Sequence, residues 1–328
     1  MNNQIAAPAF TRRGALALAA GAAAFAIGGR PVLAAETVRI GLPTKTWWPS
    51  IVADVAVKQG LFTRYGLNPD LTVYRSGGEG FEALAAGSSD LTIGLVAQVG
   101  AGRLRGVETR IIALGADTNT GWRLLVPTAS PIKDVAGIAG KKVGITTSGS
   151  LSDFMALWMR SDRKIDFTSV PLGGGGLVPN LLSGNVDAAI VYSPLSFQLL
   201  QNNQARSLLD FATAIPKHLA VGWASTDAII AKKPQLLTNT LKALYGAVDY
   251  IRKNRDQAIK IIAETNNVPE AVAKQEYEET FLALSTDGRM TPDDIKVAME
   301  LARIGGFTNL APADQIVSTA FTPVTLGS

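Results

Sequence analysis

The sequence predicts an α/β fold built as two similar lobes. Three observations carry that expectation. Short β-type and helical segments alternate from residue 37 to residue 191, one local motif occurs twice in that stretch, and helical segments then dominate as far as residue 304. Alternation of this kind is the mark of a parallel sheet with helices on its faces.

The first cycle opens with Thr37-Val38-Arg39-Ile40-Gly41-Leu42, whose apolar positions alternate until Pro43. Residues 49–59 put Ile51, Val52, Val55 and Ala56 on one helical face and stop at Gly60. Strands are expected at 71–74, 91–94 and 110–114, with a helix through Phe81 and Leu84 between the first two. A comparable cycle restarts near Lys142. It has strands at 143–145, 167–170 and 188–191, a helix at 151–160, and four glycines at 173–176 leading into another helix. Residues 115–130 and the apolar, β-rich segment 219–231 read as the two crossings between lobes. Helices at 234–253, 255–266, 269–284 and 292–304 are expected to pack on the first lobe.

The internal echo is the most informative feature. Leu84-x-x-Gly87-x-x-Asp90-x-x-Ile93 matches Leu181-x-x-Gly184-x-x-Asp187-x-x-Ile190 position for position, and each copy follows a glycine-rich loop. The Leu is expected to pack a helix on the sheet, the Gly to end that helix in a left-handed turn, and the Asp to cap the step into a buried strand. Two copies imply two lobes of the same construction.

The chain of 328 residues is long enough for two domains. It has no cysteine, which removes disulfides, thiolate metal sites and cysteine nucleophiles. Its single histidine, His218, reads as a structural or surface residue rather than part of a metal centre, and no metal or cofactor is expected. Arg12, Arg13 and Arg30 supply three of the four net positive charges, leaving +1 on the rest of the chain, so nucleic-acid binding loses its main support. Those arginines belong to a leader over residues 1–35. Paired arginines precede an uncharged apolar run at 15–27 and the small residues of Val32-Leu33-Ala34-Ala35. The pair matches a twin-arginine export signal, with the general secretory route as the alternative. The apolar run falls short of the roughly 20 residues a membrane span requires.

Ligands of open α/β sheets bind beyond the carboxyl ends of the strands, where loops meet helix N-termini. Those loops come from both halves of the chain. Lys45 is a candidate to neutralise an anion, and Trp47, Trp48, Trp122 and Tyr192 are candidate aromatic walls. Ser76, Gly77, Gly78, Gln98, Thr147, Ser148, Gly149 and Ser150 are candidate donors at helix starts, although helix capping explains such residues equally well. Gly174 and Gly175 belong to a run without the Gly-Lys-Ser/Thr ending of a P-loop, so nucleotide hydrolysis is not indicated.

The early strand with its proline loop, Gly60-Leu61-Phe62-x-x-x-Gly66-Leu67, and the two Leu-x-x-Gly-x-x-Asp steps together resemble the nitrate/sulfonate/taurine-type substrate-binding proteins of ABC importers. The resemblance extends over essentially all of the chain after the leader. It implies a two-lobed, periplasmic-binding-protein-like (type II) fold, with two parallel-rich sheets flanked by helices and two hinge crossings. Residues 36–125 and 226–328 would form lobe I and residues 126–225 lobe II. It further implies a monomeric periplasmic protein that closes on a small molecule and delivers it to membrane permease subunits, with no nucleic-acid partner. Adjacent tryptophans favour an organic sulfonate or carboxylate over nitrate. Three other classes stay open: a binding protein for a neutral heterocycle such as a thiamine precursor, an enzyme on the same fold, and a ligand-sensing domain. No Gly-x-Ser-x-Gly elbow marks the enzyme reading.

Overall fold

The computed structural model describes residues 35–327, so the expected leader and its arginine pair lie outside the described residues apart from Ala35. Ten strands form the frame: β1 (Glu36–Pro43), β2 (Leu67–Tyr74), β3 (Thr92–Gly94), β4 (Thr109–Ala116), β5 (Arg123–Pro127), β6 (Lys142–Ile145), β7 (Thr168–Pro171), β8 (Ala188–Val191), β9 (Ala205–Asp210) and β10 (Val221–Thr226). The helices that bear on the site are α1 (Trp48–Lys58), α2 (Leu61–Arg64), α3 (Gly77–Ala85), α4 (Val96–Arg103) and α5 (Leu151–Arg163).

Two sheets result, with one strand order. In the first, β2-β1 joins β3-β10-β4 through a parallel bridge between Ile40 and Leu91. The second runs β7-β6-β8-β5-β9. Pairing is parallel for β1 with β2 and for β6 with β7 and β8, whereas β10 and β5 run antiparallel to both of their neighbours. That reversal follows from connectivity. The chain leaves one lobe at the carboxyl end of β4 or β9, enters the other from the same side, and must run back away from it. One outer strand of each sheet carries a proline, Pro69 in β2 and Pro171 in β7, and each tolerates it because an edge strand has a side that makes no ladder bond.

The repeated step takes the same form in both lobes. Leu84 and Leu181 are fully buried, and Gly87 and Gly184 sit at φ 74° and 76°, where a Cβ would be strained. The aspartates do more than cap. Asp90 accepts the backbone N–H of Arg39 at 2.9 Å, and Asp187 accepts that of Lys142 at 2.9 Å, so each carboxylate ties the strand it introduces to the neighbouring strand.

The sheets correct the crossings. The segment expected to return at 219–231 is β10 followed by the helix Asp227–Lys232, and β10 is already paired inside the first sheet, so the connecting residues are 211–220; the outward connection is 117–122. The boundaries at 125/126 and 225/226 therefore cut through β5 and β10, because an apolar β-type segment looks alike in a sheet and in a connection. The helices Pro234–Lys253, Arg255–Asn266 and Pro292–Ile304 match expectation, and Pro234–Lys253 packs on α1 and α2. The helix expected at 269–284 breaks instead into an α-segment Glu270–Gln275, a π-helical turn Glu276–Thr280 and a 3₁₀ turn Phe281–Ala283. The C-terminal helices also reach lobe II: Pro292–Ile304 touches α5 as well as α4, and Glu270–Gln275 touches the helix Leu195–Gln201.

Candidate functional site

Loops after β1, β2, β3, β6, β7 and β8 converge between the sheets, and the lobes touch there. Thr46 Oγ1 lies 3.2 Å from the Tyr192 hydroxyl, and Ser76 Oγ lies 2.6 Å from Thr147 Oγ1. The Gly174 N–H donates to the Arg75 carbonyl at 2.9 Å, and Gln98 Nε2 donates to the Gly149 carbonyl.

The two adjacent tryptophans touch edge-on at 5.8 Å but differ in their other neighbours. Trp47 is the extended residue ahead of α1, and Trp48 is the first residue of the helix, so their side chains leave in different directions. Trp47 meets Trp122 edge-on at 5.3 Å and Tyr192 at 6.4 Å, which places it in the cleft. Trp48 meets Trp223 at 6.0 Å and lies so close over Gly115 that a Cβ there would stand 2.6 Å from its ring. Trp48 is therefore a core residue of lobe I. Both rings are about 4% exposed, so neither is the lightly packed loop side chain that its position after a strand suggests.

A small cavity of about 20 Å³ lies at the centre of the cleft. Thr44, Trp47, Ser76, Gly77 and Gln98 face it from lobe I, Thr146, Ser150 and Tyr192 from lobe II, and Trp122 from the crossing. The indole N–H groups of Trp47 and Trp122 are buried with no hydrogen-bond partner among the described residues. Burial raises the Tyr192 hydroxyl pKa above the usual tyrosine value, so it stays protonated and able to donate.

Two helix N-termini meet across this cavity. Ser76 caps α3 by accepting the Glu79 N–H, and Ser150 caps α5 by accepting the Asp153 N–H. A Cβ on Gly78 would stand 2.9 Å from Thr147 Oγ1 and 3.1 Å from the Ser148 carbonyl, so the glycine is what lets α3 approach the α5 turn. Each helix start carries roughly half a positive charge, and two of them face to face favour an anion between them.

Other expected site residues fall elsewhere. Lys45 is exposed and lines neither this cavity nor its neighbours, because the turn before α1 directs it outward. Ser148 and Gly149 are exposed at the rim, and the cap of α5 is Ser150, bonded within a buried Thr146–Ser150–Ser152 cluster. Gly174 passes against Thr44 and the Tyr192 hydroxyl, whereas Gly175 faces open space. His218 is buried, donates from Nδ1 to the Pro216 carbonyl at 2.7 Å, and has its pKa lowered chiefly by burial. No group of three metal-ligating side chains occurs among the described residues.

The hinge side of the cleft holds a group that the sequence did not announce. Glu276, in the π-helical turn, is buried and accepts from Thr280 Oγ1 at 3.0 Å, and Thr280 lies 3.0 Å from Ser193 Oγ of lobe II. Burial, helped by the neighbouring Glu279, pushes the Glu276 carboxyl up to about 7, against hydrogen bonds from Ser193 and Thr280 that hold it down. Arg123 at the start of β5 pairs with Asp210 at 3.1 Å and with Glu279 at 3.6 Å, tying this turn to lobe II.

Two α/β lobes of one strand order, closing on a cleft lined by both, define the periplasmic-binding-protein fold. The chain belongs to the NMT1/THI5-like family, whose profile matches residues 51–258. A protein of Brucella abortus named only as a binding protein is 25% identical over 265 residues, spanning 76% of this chain and 80% of the relative. Among solved structures, the alkanesulfonate-binding protein SsuA of Xanthomonas axonopodis pv. citri, bound to MOPS, superposes with a TM-score of 0.71 at 20% identity, covering 87% of this chain and 98% of its own. The aliphatic sulphonate binding protein SsuA of Escherichia coli gives 0.69 at 20% identity, over 89% and 94% of the two chains. The desulfurization enzyme DSZB also shares the fold, with a TM-score of 0.60 at 15% identity over 87% of this chain and 97% of its own.

Proposed function

We propose that the protein is the substrate-binding component of an ABC importer, exported to the periplasm, where it captures a small organic anion and passes it to the permease. The class favoured is a sulfonate or carboxylate. One observation carries the reading: the serine-capped starts of α3 and α5 oppose each other across the cleft, beneath the unpartnered indole N–H groups of Trp47 and Trp122. Helix starts and indoles supply donors without a basic side chain, which suits a tetrahedral or planar oxyanion. The SsuA relatives bind sulfonates by name, and their likeness in fold agrees with this choice. Ligand contacts made to both lobes at once would stabilise the closed form over the open one, and that difference is the source of capture.

A panel of alkanesulfonates, carboxylates, nitrate and pyrimidines, read by thermal shift and calorimetry, tests the proposal. The expected result is a sulfonate or carboxylate that raises stability by about 2.7 kcal/mol at a hundredfold excess over its dissociation constant. Ser150→Ala and Ser76→Ala should each weaken that ligand by roughly ten- to a hundredfold, beyond a cap loss of about 1 kcal/mol in stability. Binding of a pyrimidine alone would replace the anion reading with the heterocycle one. Turnover of a sulfinate would place the chain with the enzymes of this fold, although a cysteine nucleophile is excluded by composition.

A further inference from the structure

A cavity of about 230 Å³ lies beside the central cleft, between α3, α4 and the start of α5, and it is more than ten times the volume of the cleft cavity. Leu95, Gln98 and Ser150 line both, so the two are neighbours sharing a wall at the capped start of α5. Its largest apolar side chains are three phenylalanines on three separate segments: Phe81 of α3, Phe154 of α5, and Phe307 beyond the helix Pro292–Ile304. Three charged side chains line it: Glu82 and Arg105 are exposed at the edge, and Asp153 of α5 is half-buried, with its carboxyl pKa raised chiefly by burial.

Size decides what each space accepts. A water needs about 10–15 Å³ of such volume, so the cleft cavity as closed here has room for little more than a water, whereas an apolar cavity of about 150 Å³ accepts benzene. Any organic ligand held at the Trp47–Trp122 cleft in the closed form must therefore extend beyond it. The cavity lined by phenylalanines is the largest of the neighbouring spaces described.

We infer that this cavity is a second subsite, which takes the body of the ligand as a single substituted six-membered ring while the polar end occupies the cleft. The inference rests on the anion reading for the polar end and goes beyond it in naming the ring. Lobe II contributes Phe154 and lobe I Phe81, so the ring adds apolar burial that exists only when the lobes are together.

The test compares methanesulfonate with benzenesulfonate by calorimetry on the wild-type protein, Phe307→Ala and Ala101→Phe, together with NMR titration of benzyl alcohol. Phe307 is half-buried, and Ala101 lines the cavity from α4, so the first change opens the site and the second fills it. Benzenesulfonate should bind about tenfold or more tightly than methanesulfonate, and both variants should lose most of that advantage while methanesulfonate binding is unchanged. Equal binding of the two sulfonates, or an advantage that survives both variants, overturns the subsite. If neither sulfonate binds, the sulfonate branch of the anion reading fails and benzyl alcohol decides the cavity. Shifts at Phe81 and Phe307 that vanish in Ala101→Phe support it, and their absence in the wild-type protein refutes it.

Discussion

The two lobes share a frame but not a site. Strand order, reversed strand, left-handed glycine and the aspartate that ties two strands together all recur. The loops above that frame differ. In lobe I the helix start at the cleft follows β2, where Ser76 caps a nine-residue helix. In lobe II the loop after the equivalent strand, β7, is a three-residue 3₁₀ turn without a side-chain cap, and the capped helix start follows β6 instead. Lobe I fills the position after β1 with Trp47 and Pro49. Repetition therefore predicts architecture, while the chemistry lies at positions that do not correspond. The reason is physical: frame residues satisfy local packing that both lobes need, and cleft residues answer to one ligand approached from opposite sides.

The largest effect should separate the neighbouring tryptophans. Trp48→Ala removes a ring packed within lobe I and should cost about 3–5 kcal/mol, read as a sharp fall in melting temperature. Trp47→Phe keeps most of the cleft wall while deleting its N–H, so it should lower ligand affinity with far less loss of stability. A reversal of those outcomes would exchange the roles of the two residues.

Next in size is the seam between the lobes. The folded protein holds a proton on Glu276 up to pH about 7, while an unfolded chain releases it near the reference value of 4.5. The native state binds more protons between those values, so stability falls as pH rises from about 4.5 to about 7 and is level beyond. The full loss is on the order of 3 kcal/mol. Glu276→Gln should abolish that slope, which melting curves of both proteins at pH 5 and pH 8 would reveal. Parallel curves would mean that the carboxyl titrates in both states alike.

The smallest effect tests the repeat itself. Asp90 accepts from the Arg39 backbone and again from its guanidinium at 2.6 Å, whereas the recorded partner of Asp187 is the Lys142 backbone alone. Asp90→Ala should cost about 2 kcal/mol and Asp187→Ala about 1 kcal/mol in denaturant unfolding. Equal costs would show that the shared backbone bond is all that matters.

Much of the frame is legible in the sequence because its signals are local. The Leu-Gly-Asp steps stand out at 84–90 and 181–187, and proline or asparagine bounds the helices 234–253 and 255–266. The strand β9 escapes notice because Ala205-Arg206-Ser207-Leu208-Leu209-Asp210 does not alternate. The site was only partly legible. Its aromatic residues and the Ser76 cap stand out, but the sequence does not separate Ser148 from Ser150, since only the backbone decides which hydroxyl reaches the Asp153 N–H. Nothing local marks Glu276, whose burial depends on Ser193 and Thr280 arriving from distant segments. The same holds for Phe81, Phe154 and Phe307, which meet only in the folded chain.

The reversed strand of each sheet has a consequence for synthesis. Lobe II draws its five strands from one continuous stretch, Arg123 to Asp210, and can assemble as soon as that stretch has emerged. The lobe I sheet cannot, because β10 must slot between β3 and β4, and it begins at Val221, roughly a hundred residues after β4 ends at Ala116. At a translation rate of about 5–20 residues per second, the first-made half of the protein waits on the order of 5–20 seconds with an open gap beside β4. During that interval the edges of β3 and β4 that β10 covers in the finished protein are exposed, and a chaperone or the ribosome surface has something to cover.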